Sequence, residues 1–74
     1  MSTSVPTTQI RNNMRTLRFQ NGEMTQQQLA NRVGLTRQTI ISIEQGKYSP
    51  SLEGAFKIAR ALGAQLEEVF QYDR

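Results

Sequence analysis

Apolar residues recur along this chain at the spacing of amphipathic helices, and no stretch alternates in the manner of a strand. In the first segment, Ile10, Met14 and Leu17 follow one another at i, i+4 and i+7, which places them on one face of a helix. Thr8 is suited to cap the start of this helix. The pair Asn21-Gly22 is suited to end it, because both residues tolerate left-handed backbone.

A second helix and a tight turn follow. Thr25 is the predicted N-cap, and Gln28 stands three residues later, at the spacing of a capping box. The residues predicted to lie on its buried side are Leu29, Ala30 and Val33. The turn Gly34-Leu35-Thr36 combines a glycine that can close the helix with an apolar plug and a threonine that can cap the next one. This third helix is predicted over 37–45, with Ile40 and Ile43 inward.

Two further helices complete the pattern. The fourth begins in one of two ways: Ser49 caps it with Pro50 in the first helical position, or Ser51 caps it directly. Its apolar stripe is predicted to consist of Leu52, Ala55, Phe56, Ala59 and Leu62. The fifth, over 64–70, contributes Leu66, Val69 and Phe70. The pattern predicts an all-α domain over 9–71, with 1–8 a disordered lead and 72–74 a tail.

Composition narrows the chemistry. The 74 residues include no cysteine and no histidine, which excludes disulfides, Cys/His zinc sites, a thiol nucleophile and a histidine base. The six carboxylates are scattered along predicted helix surfaces. We therefore expect no catalytic residues, no metal, no cofactor and no small-molecule ligand.

The chain also lacks the signals of membrane targeting. Residues 1–8 are polar and have neither the basic nor the apolar region of a signal peptide. No stretch approaches the roughly 18 apolar residues of a membrane span. We expect a cytoplasmic protein of a bacterium or archaeon.

Charge is distributed unevenly. Residues 1–50 carry six cations and two carboxylates, a net +4, whereas residues 51–74 carry three cations and four carboxylates, a net −1. A polyanion would prefer the first two-thirds of the molecule. Ordinary surface solubility explains the same charges equally well. The charge distribution alone therefore does not predict binding to a polyanion, and the prediction depends on the sequence motif.

The second and third helices, with their short glycine-containing turn, have the layout of a helix-turn-helix, in which the second helix enters the major groove of DNA. With Ile40 and Ile43 inward, steps of about 100° per residue turn a mostly polar set outward. These residues are Arg37, Gln38, Ile41, Ser42 and Gln45. The fork of an arginine matches the edge of guanine, and a glutamine amide matches that of adenine. Arg37, Gln38 and Ser42 are therefore predicted to contact bases.

Ile41 is the ambiguous member of this face. A β-branched apolar side chain there could contact a thymine methyl, and it is included among the base-contacting candidates on that ground. Packing at the edge of the core or at a dimer contact would explain it as well.

The run from Met24, MTQQQLANRVGLTRQTIISIEQGKYSPSL, closely resembles the Cro/CI-type (XRE) family of helix-turn-helix transcriptional regulators. The continuation AFKIARALG and LEEVF resembles the fourth and fifth helices of the same domain, so that the resemblance covers residues 10–70. It implies a compact five-helix, lambda-repressor-like bundle, with the helix-turn-helix at 26–45. It also implies sequence-specific binding to double-stranded DNA.

The resemblance implies roles for individual residues. Gln26 matches a glutamine that contacts a phosphate and braces the recognition helix, and Arg37, Gln38 and Ser42 match base-contacting positions. Those expected near phosphates as well are Thr36, Thr39, Lys47, Tyr48 and Ser49. For Thr36, capping the helix is an equally good explanation. Arg18 and Glu44 match a partly buried salt bridge, so Arg18 is assigned to structure.

Two departures and one question remain. Ile41 replaces a residue that is usually polar in the family, and the lead of residues 1–8 has no cation with which to enter a minor groove.

A monomer of this size would contact one half-site only, so we expect a homodimer on a palindromic operator. The candidate dimer surfaces are the loop at 47–51 and the patch at 69–72. The alternative function is that of a protein-interaction module, such as an antitoxin or an anti-repressor partner.

Overall fold

The computed structural model describes residues 9–72, which form five helices and two short strands. In chain order these are β1 (Ile10–Asn12), α1 (Met14–Gln20), α2 (Gln26–Val33), α3 (Arg37–Glu44), α4 (Leu52–Ala61), α5 (Leu66–Val69) and β2 (Phe70–Tyr72). The predicted lead at 1–8, including the predicted cap Thr8, lies outside the described residues, as do residues 73 and 74.

The described residues contain the five predicted helices, as expected of an all-α helix-turn-helix domain, and in addition a small antiparallel sheet that the prediction lacked. β1 pairs with β2 in a register that sets Ile10 opposite Tyr72 and Asn12 opposite Phe70. Ile10 and Asn12 are half-buried and Arg11 between them is exposed, which is the period-two pattern of a strand. Three residues are too few for that pattern to stand out in sequence. Ile10 therefore belongs to a strand, and α1 begins only at Met14.

The start and the end of α2 follow the local prediction. The hydroxyl of Thr25 accepts from the backbone N–H of Gln28 at 3.0 Å, and the Gln28 side chain accepts from the Thr25 N–H at 2.8 Å. This reciprocal pair is the predicted capping box. Gly34 closes the helix in left-handed conformation, with φ of 75°.

The last two helices depart from their predicted form. Ser51, not Ser49, caps α4, because its hydroxyl accepts from the Gly54 N–H at 3.0 Å. Of the predicted apolar stripe, Ala55, Ala59 and Leu62 are buried, but Leu52 is 70% exposed and Phe56 is 48% exposed. Ile58, which the prediction left out, is fully buried. α5 ends at Val69, and Phe70 continues into β2 instead of extending the helix. The strand also takes in Tyr72, which the prediction placed in a tail.

One apolar cluster holds the elements together. Its largest fully buried side chains come from all five helices and from the residue that follows α4; they are Met14, Leu29, Ile40, Ile58, Leu62 and Val69. Leu35, the apolar plug of the turn, is half-buried against this cluster. Ile40 and Ile43 anchor α3 in it, as predicted, so that the rest of α3 lies at the surface.

Candidate nucleic-acid interface

The N-terminus of α3 is held by its own first turn. The Thr36 hydroxyl accepts from the Thr39 N–H at 3.1 Å, and the two threonine hydroxyls lie 2.9 Å apart. Thr36 is therefore the N-cap of α3, as one of its two predicted roles required; the other role, a phosphate contact, stays a prediction. Because this bond fixes the first turn, it also fixes the backbone from which Arg37 and Gln38 project.

The exposed surface of α3 has two flanks. Gln38 and Ser42, one helical turn apart, line a shallow depression that is completed by Thr39, Lys47 and Tyr48. Arg37 and Ile41, also one turn apart, line a longer groove on the opposite flank, facing Gln26 and the start of α2. The four predicted base-contacting side chains thus occupy neighbouring strips of one helix surface.

Ile41 lies in the groove and is not among the side chains packed against the core. It is half-buried on the flank of α3 that carries Arg37 and Gln45. The apolar cluster, including the partly buried side chains that pack against it, draws on Ile40 and Ile43 from this helix but not on Ile41. Packing at the core edge does not therefore account for its position.

A buried ion pair joins α1 to the last residue of α3. Arg18 Nε donates to Glu44 Oε2 at 2.7 Å and Arg18 Nη2 donates to Glu44 Oε1 at 3.1 Å, with side-chain exposures of 8% and 10%. Arg18 Nη1 also donates to the Met24 carbonyl at 2.8 Å. The fork therefore ties α1 to the C-terminal end of α3 and to the loop before α2.

Gln26 joins this network through its amide, which donates to Glu44 Oε1 at 3.2 Å. This hydrogen bond links the first turn of α2 directly to the last turn of α3. This bond links Gln26 to α3, the helix that it is expected to brace. The side chain is half-buried at the edge of the groove.

Asn12 also supports the C-terminal end of α3, and sequence reasoning missed it. Its side-chain amide donates to the carbonyls of Ile43 at 3.1 Å and Glu44 at 3.4 Å, and its oxygen accepts from the Met14 N–H at 3.1 Å. One residue of β1 therefore satisfies the C-terminus of α3 and the N-terminus of α1. An asparagine just before a helix is a weak cap signal, and nothing local indicates its second partner.

The loop after α3 carries the remaining predicted phosphate contacts. Gly46 turns the chain with φ of 75°, and the Lys47 N–H donates to the Ser42 carbonyl at 2.9 Å. Lys47 and Ser49 are exposed, and Tyr48 is 52% exposed beside the strip formed by Gln38 and Ser42.

The two predicted dimer surfaces lie together. Ser49 and Pro50 from the loop and Phe70 to Tyr72 from β2 line a single, mainly apolar depression. Leu52 at the start of α4 and Tyr72 in β2 are its most exposed large side chains, at 70% and 69%. The loop at 47–51 and the strand at 70–72 therefore belong to one surface and are not alternatives.

Residues 9–72 contain no group of three or more side chains of the types that could hold a metal ion. Within the same range, none of the helices has the length and apolar character to cross a bilayer.

The fold and its surface define a helix-turn-helix DNA-binding domain. A family model described as helix-turn-helix matches residues 17–69, which include α2, the turn and α3. The chain belongs to the Cro/CI-type (XRE) family of helix-turn-helix transcriptional regulators.

Relatives and solved structures agree with this assignment. The chain is 47% identical over 64 residues to an uncharacterized HTH-type transcriptional regulator of Archaeoglobus fulgidus, covering 86% of this chain and 90% of the relative. It is 59% identical over 51 residues to another from Methanothermobacter thermautotrophicus, covering 68% and 74%. Among solved structures, the restriction-modification controller protein C.AhdI from Aeromonas hydrophila superposes with a TM-score of 0.68 at 34% identity, covering 74% of this chain and 82% of that one.

Proposed function

We propose that this protein binds double-stranded DNA sequence-specifically by inserting α3 into the major groove. The observation that carries the proposal is the pair of strips on α3. Arg37 and Gln38 project from the first turn of α3, directly after its N-cap Thr36, and Ile41 and Ser42 follow them one turn later. Arginine and glutamine supply the forked or paired donors and acceptors that distinguish guanine and adenine in that groove.

In this proposal a second set of residues grips the DNA backbone. Gln26 and Lys47 lie on opposite flanks of α3. With α3 in the major groove of DNA, each would therefore face a different one of the two DNA backbones. Thr36, Thr39, Tyr48 and Ser49 complete the proposed phosphate contacts. Ile41 contributes an apolar contact to a thymine methyl, a role supported by its place in the groove outside the core.

We further propose that two copies bind a palindromic operator. The described chain has a radius of gyration of 11.8 Å, whereas successive major-groove faces on one side of DNA lie about 34 Å apart. The apolar depression bordered by Leu52 and Tyr72 supplies a surface for self-association, because exposed apolar patches of this kind commonly mark interfaces. Action as a repressor, by occupying the operator, is the form of regulation we propose.

Selection of bound sequences from random duplex DNA tests the proposal. We expect recovery of a palindrome with guanine or adenine at fixed positions in each half-site. Failure to enrich any sequence would overturn DNA recognition. It would favour the alternative, a protein-interaction module that uses the same helices.

Two substitutions then separate base contacts from phosphate contacts. Arg37→Ala should cost about 1–3 kcal/mol of binding free energy and relax the preference at one operator position. Lys47→Ala should weaken binding to all sequences alike and lower the slope of log K against log salt by about 1. Identical behaviour of the two variants across a panel of operator sequences would contradict this division.

Self-association has a separate test. Leu52→Glu places a charge in the apolar depression, and it should shift sedimentation from dimer toward monomer and weaken binding to the full palindrome more than to a half-site. Arg60→Glu, on the same helix but outside the depression, is the control. A dimer that survives Leu52→Glu unchanged would exclude this surface.

A further inference from the structure

The groove beside α3 extends well beyond the residues proposed to contact DNA. One side is formed by Arg37 and Ile41 of α3 with Gln45, the residue that follows it, and the other by the start of α2. Its far wall is the exposed side of α1, where Arg15 and Phe19 lie one turn apart. Neither residue belongs to the helix-turn-helix, and the proposed function leaves both without a role.

Arg15 is held in an unusual way for a surface cation. It is exposed and makes no ion pair or side-chain hydrogen bond within the described residues. Its guanidinium carbon instead lies 5.7 Å from the centroid of the Phe19 ring. Phe19 is 52% exposed, so the ring contributes little to the core and is available to support the arginine.

This arrangement suits an anionic ligand. An arginine that lies against an aromatic ring keeps its N–H donors available and loses less side-chain freedom when it binds phosphate than an unsupported one. Arg18 also lies near Phe19, at 5.8 Å, but its donors are committed to Glu44 and to the Met24 carbonyl. Arg15 is therefore the cation of this wall that remains available.

The rest of the groove is compatible with a nucleic-acid backbone. Three arginines and two carboxylates line it, and one carboxylate, that of Glu44, is already paired with Arg18. The other carboxylate is that of Glu23. Because the arginines outnumber the carboxylates, the groove has a net positive charge. Most of the remaining polar lining is uncharged and therefore does not repel phosphate; it consists of Asn12, Asn13, Gln26, Gln27 and Gln45.

We infer that Arg15, positioned by Phe19, binds a backbone phosphate that flanks the bases contacted by α3, and so lengthens the DNA segment the protein holds. This inference rests on the proposed DNA binding and adds a contact from α1. The contact is independent of base sequence, because it involves phosphate alone.

The test combines protein variants with duplexes of different length. The selected operator is prepared with its ends cut at the outermost bases recovered and, separately, with several added base pairs on each side. The wild-type protein should gain affinity on the longer duplex, and Arg15→Ala should lose that gain. Removing one phosphate contact should lower the salt slope by about 0.9, which corresponds to about a 5-fold loss of affinity per site near physiological salt.

Matched controls define the outcome. Arg60→Ala removes an exposed arginine from a separate depression on α2 and α4 that shares no residue with the groove, and it should leave the salt slope and the length dependence unchanged. Phe19→Leu should weaken binding in the wild-type background but not in the Arg15→Ala background, because the ring acts through the arginine. Urea unfolding of each variant checks that the fold is retained.

The results separate this inference from the proposed function. If wild-type protein binds its operator and Arg15→Ala matches it in salt slope and length dependence, the α1 contact is wrong and DNA recognition by α3 stands. Equal losses for Arg15→Ala and Arg60→Ala would also overturn the inference, since general charge would then explain both. If the wild-type protein selects no sequence, the proposed function itself fails.

Discussion

Replacing Arg18 with methionine removes the cation from the pair that joins α1 to α3 while it keeps an unbranched side chain of similar reach. Three hydrogen bonds disappear, two to Glu44 and one to the Met24 carbonyl. The Glu44 carboxylate, whose side chain is 10% exposed, keeps only the amide of Gln26 as a partner.

The expected loss is large for so small a domain. Removing one member of a buried ion pair typically costs about 3–5 kcal/mol, because the other charge stays desolvated without compensation. Stabilities of natural domains amount to only about 5–15 kcal/mol. Each kcal/mol corresponds to about 4–8 °C in Tm for a domain of this length, so a fall of at least about 12 °C should follow.

A double-mutant cycle monitored by urea unfolding measures the interaction itself. Arg18→Met combined with Glu44→Leu removes both charges, and it should recover about 2 kcal/mol or more relative to the sum of the single effects. Lys57→Met is the matched control, because Lys57 forms an exposed pair with Glu53 at 3.7 Å and should change stability by no more than about 0.5 kcal/mol.

Two results would refute the reasoning. One is a cost below about 1 kcal/mol for Arg18→Met, which would mean that water reaches the Glu44 carboxylate and that the pair is effectively a surface pair. The other is simple additivity in the double variant, which would mean that Arg18 stabilises the fold by packing its stem and not by its charge.

Three further substitutions test the local structure around α3. Asn12→Asp exchanges an amide donor for a carboxylate at the negative end of the α3 dipole, and it should cost about 1–3 kcal/mol in urea unfolding. Asn31→Asp, exposed in the last turn of α2, meets a helix dipole but loses no buried donor, and it should cost less, about 0.3–1 kcal/mol. Gly34→Ala should cost about 1–2 kcal/mol through backbone strain alone, since φ is 75° and no atom lies within 4 Å of the added Cβ. Thr36→Ala should cost about 1 kcal/mol by removing the cap and Thr36→Ser much less; equal losses would show that the hydroxyl is not the stabilising group.

The helix-turn-helix itself was predictable from sequence because its signals are local. The capping box of Thr25 with Gln28, the left-handed Gly34 and the cap at Thr36 each act within a few residues along the chain. Such hydrogen bonds depend on residue type and spacing, which the sequence states directly. The inward positions of Ile40 and Ile43 followed from helical periodicity, and with them the outward face of α3.

Where the sequence allowed two solutions, the periodicity was not enough. In and just after α4, the buried Ala59 and Leu62 fit a stripe that includes Leu52 and Phe56 and also a stripe that includes Ile58. The core buries the stripe that includes Ile58. Which stripe is buried depends on where α2 and α5 lie against α4, and no window along the chain contains that information.

By itself, then, the sequence determined α3, its N-cap and the residue types presented on its surface, because those features depend on neighbours in the chain. The tertiary structure decided the rest. It paired β1 with β2, which lie far apart in the sequence, and it placed Asn12 at the C-terminus of α3. It brought the loop at 47–51 and the strand at 70–72 together in one apolar surface. It also brought Arg15 and Phe19 to the far wall of the groove. These contacts join residues distant in sequence, so they exist only once the core has packed.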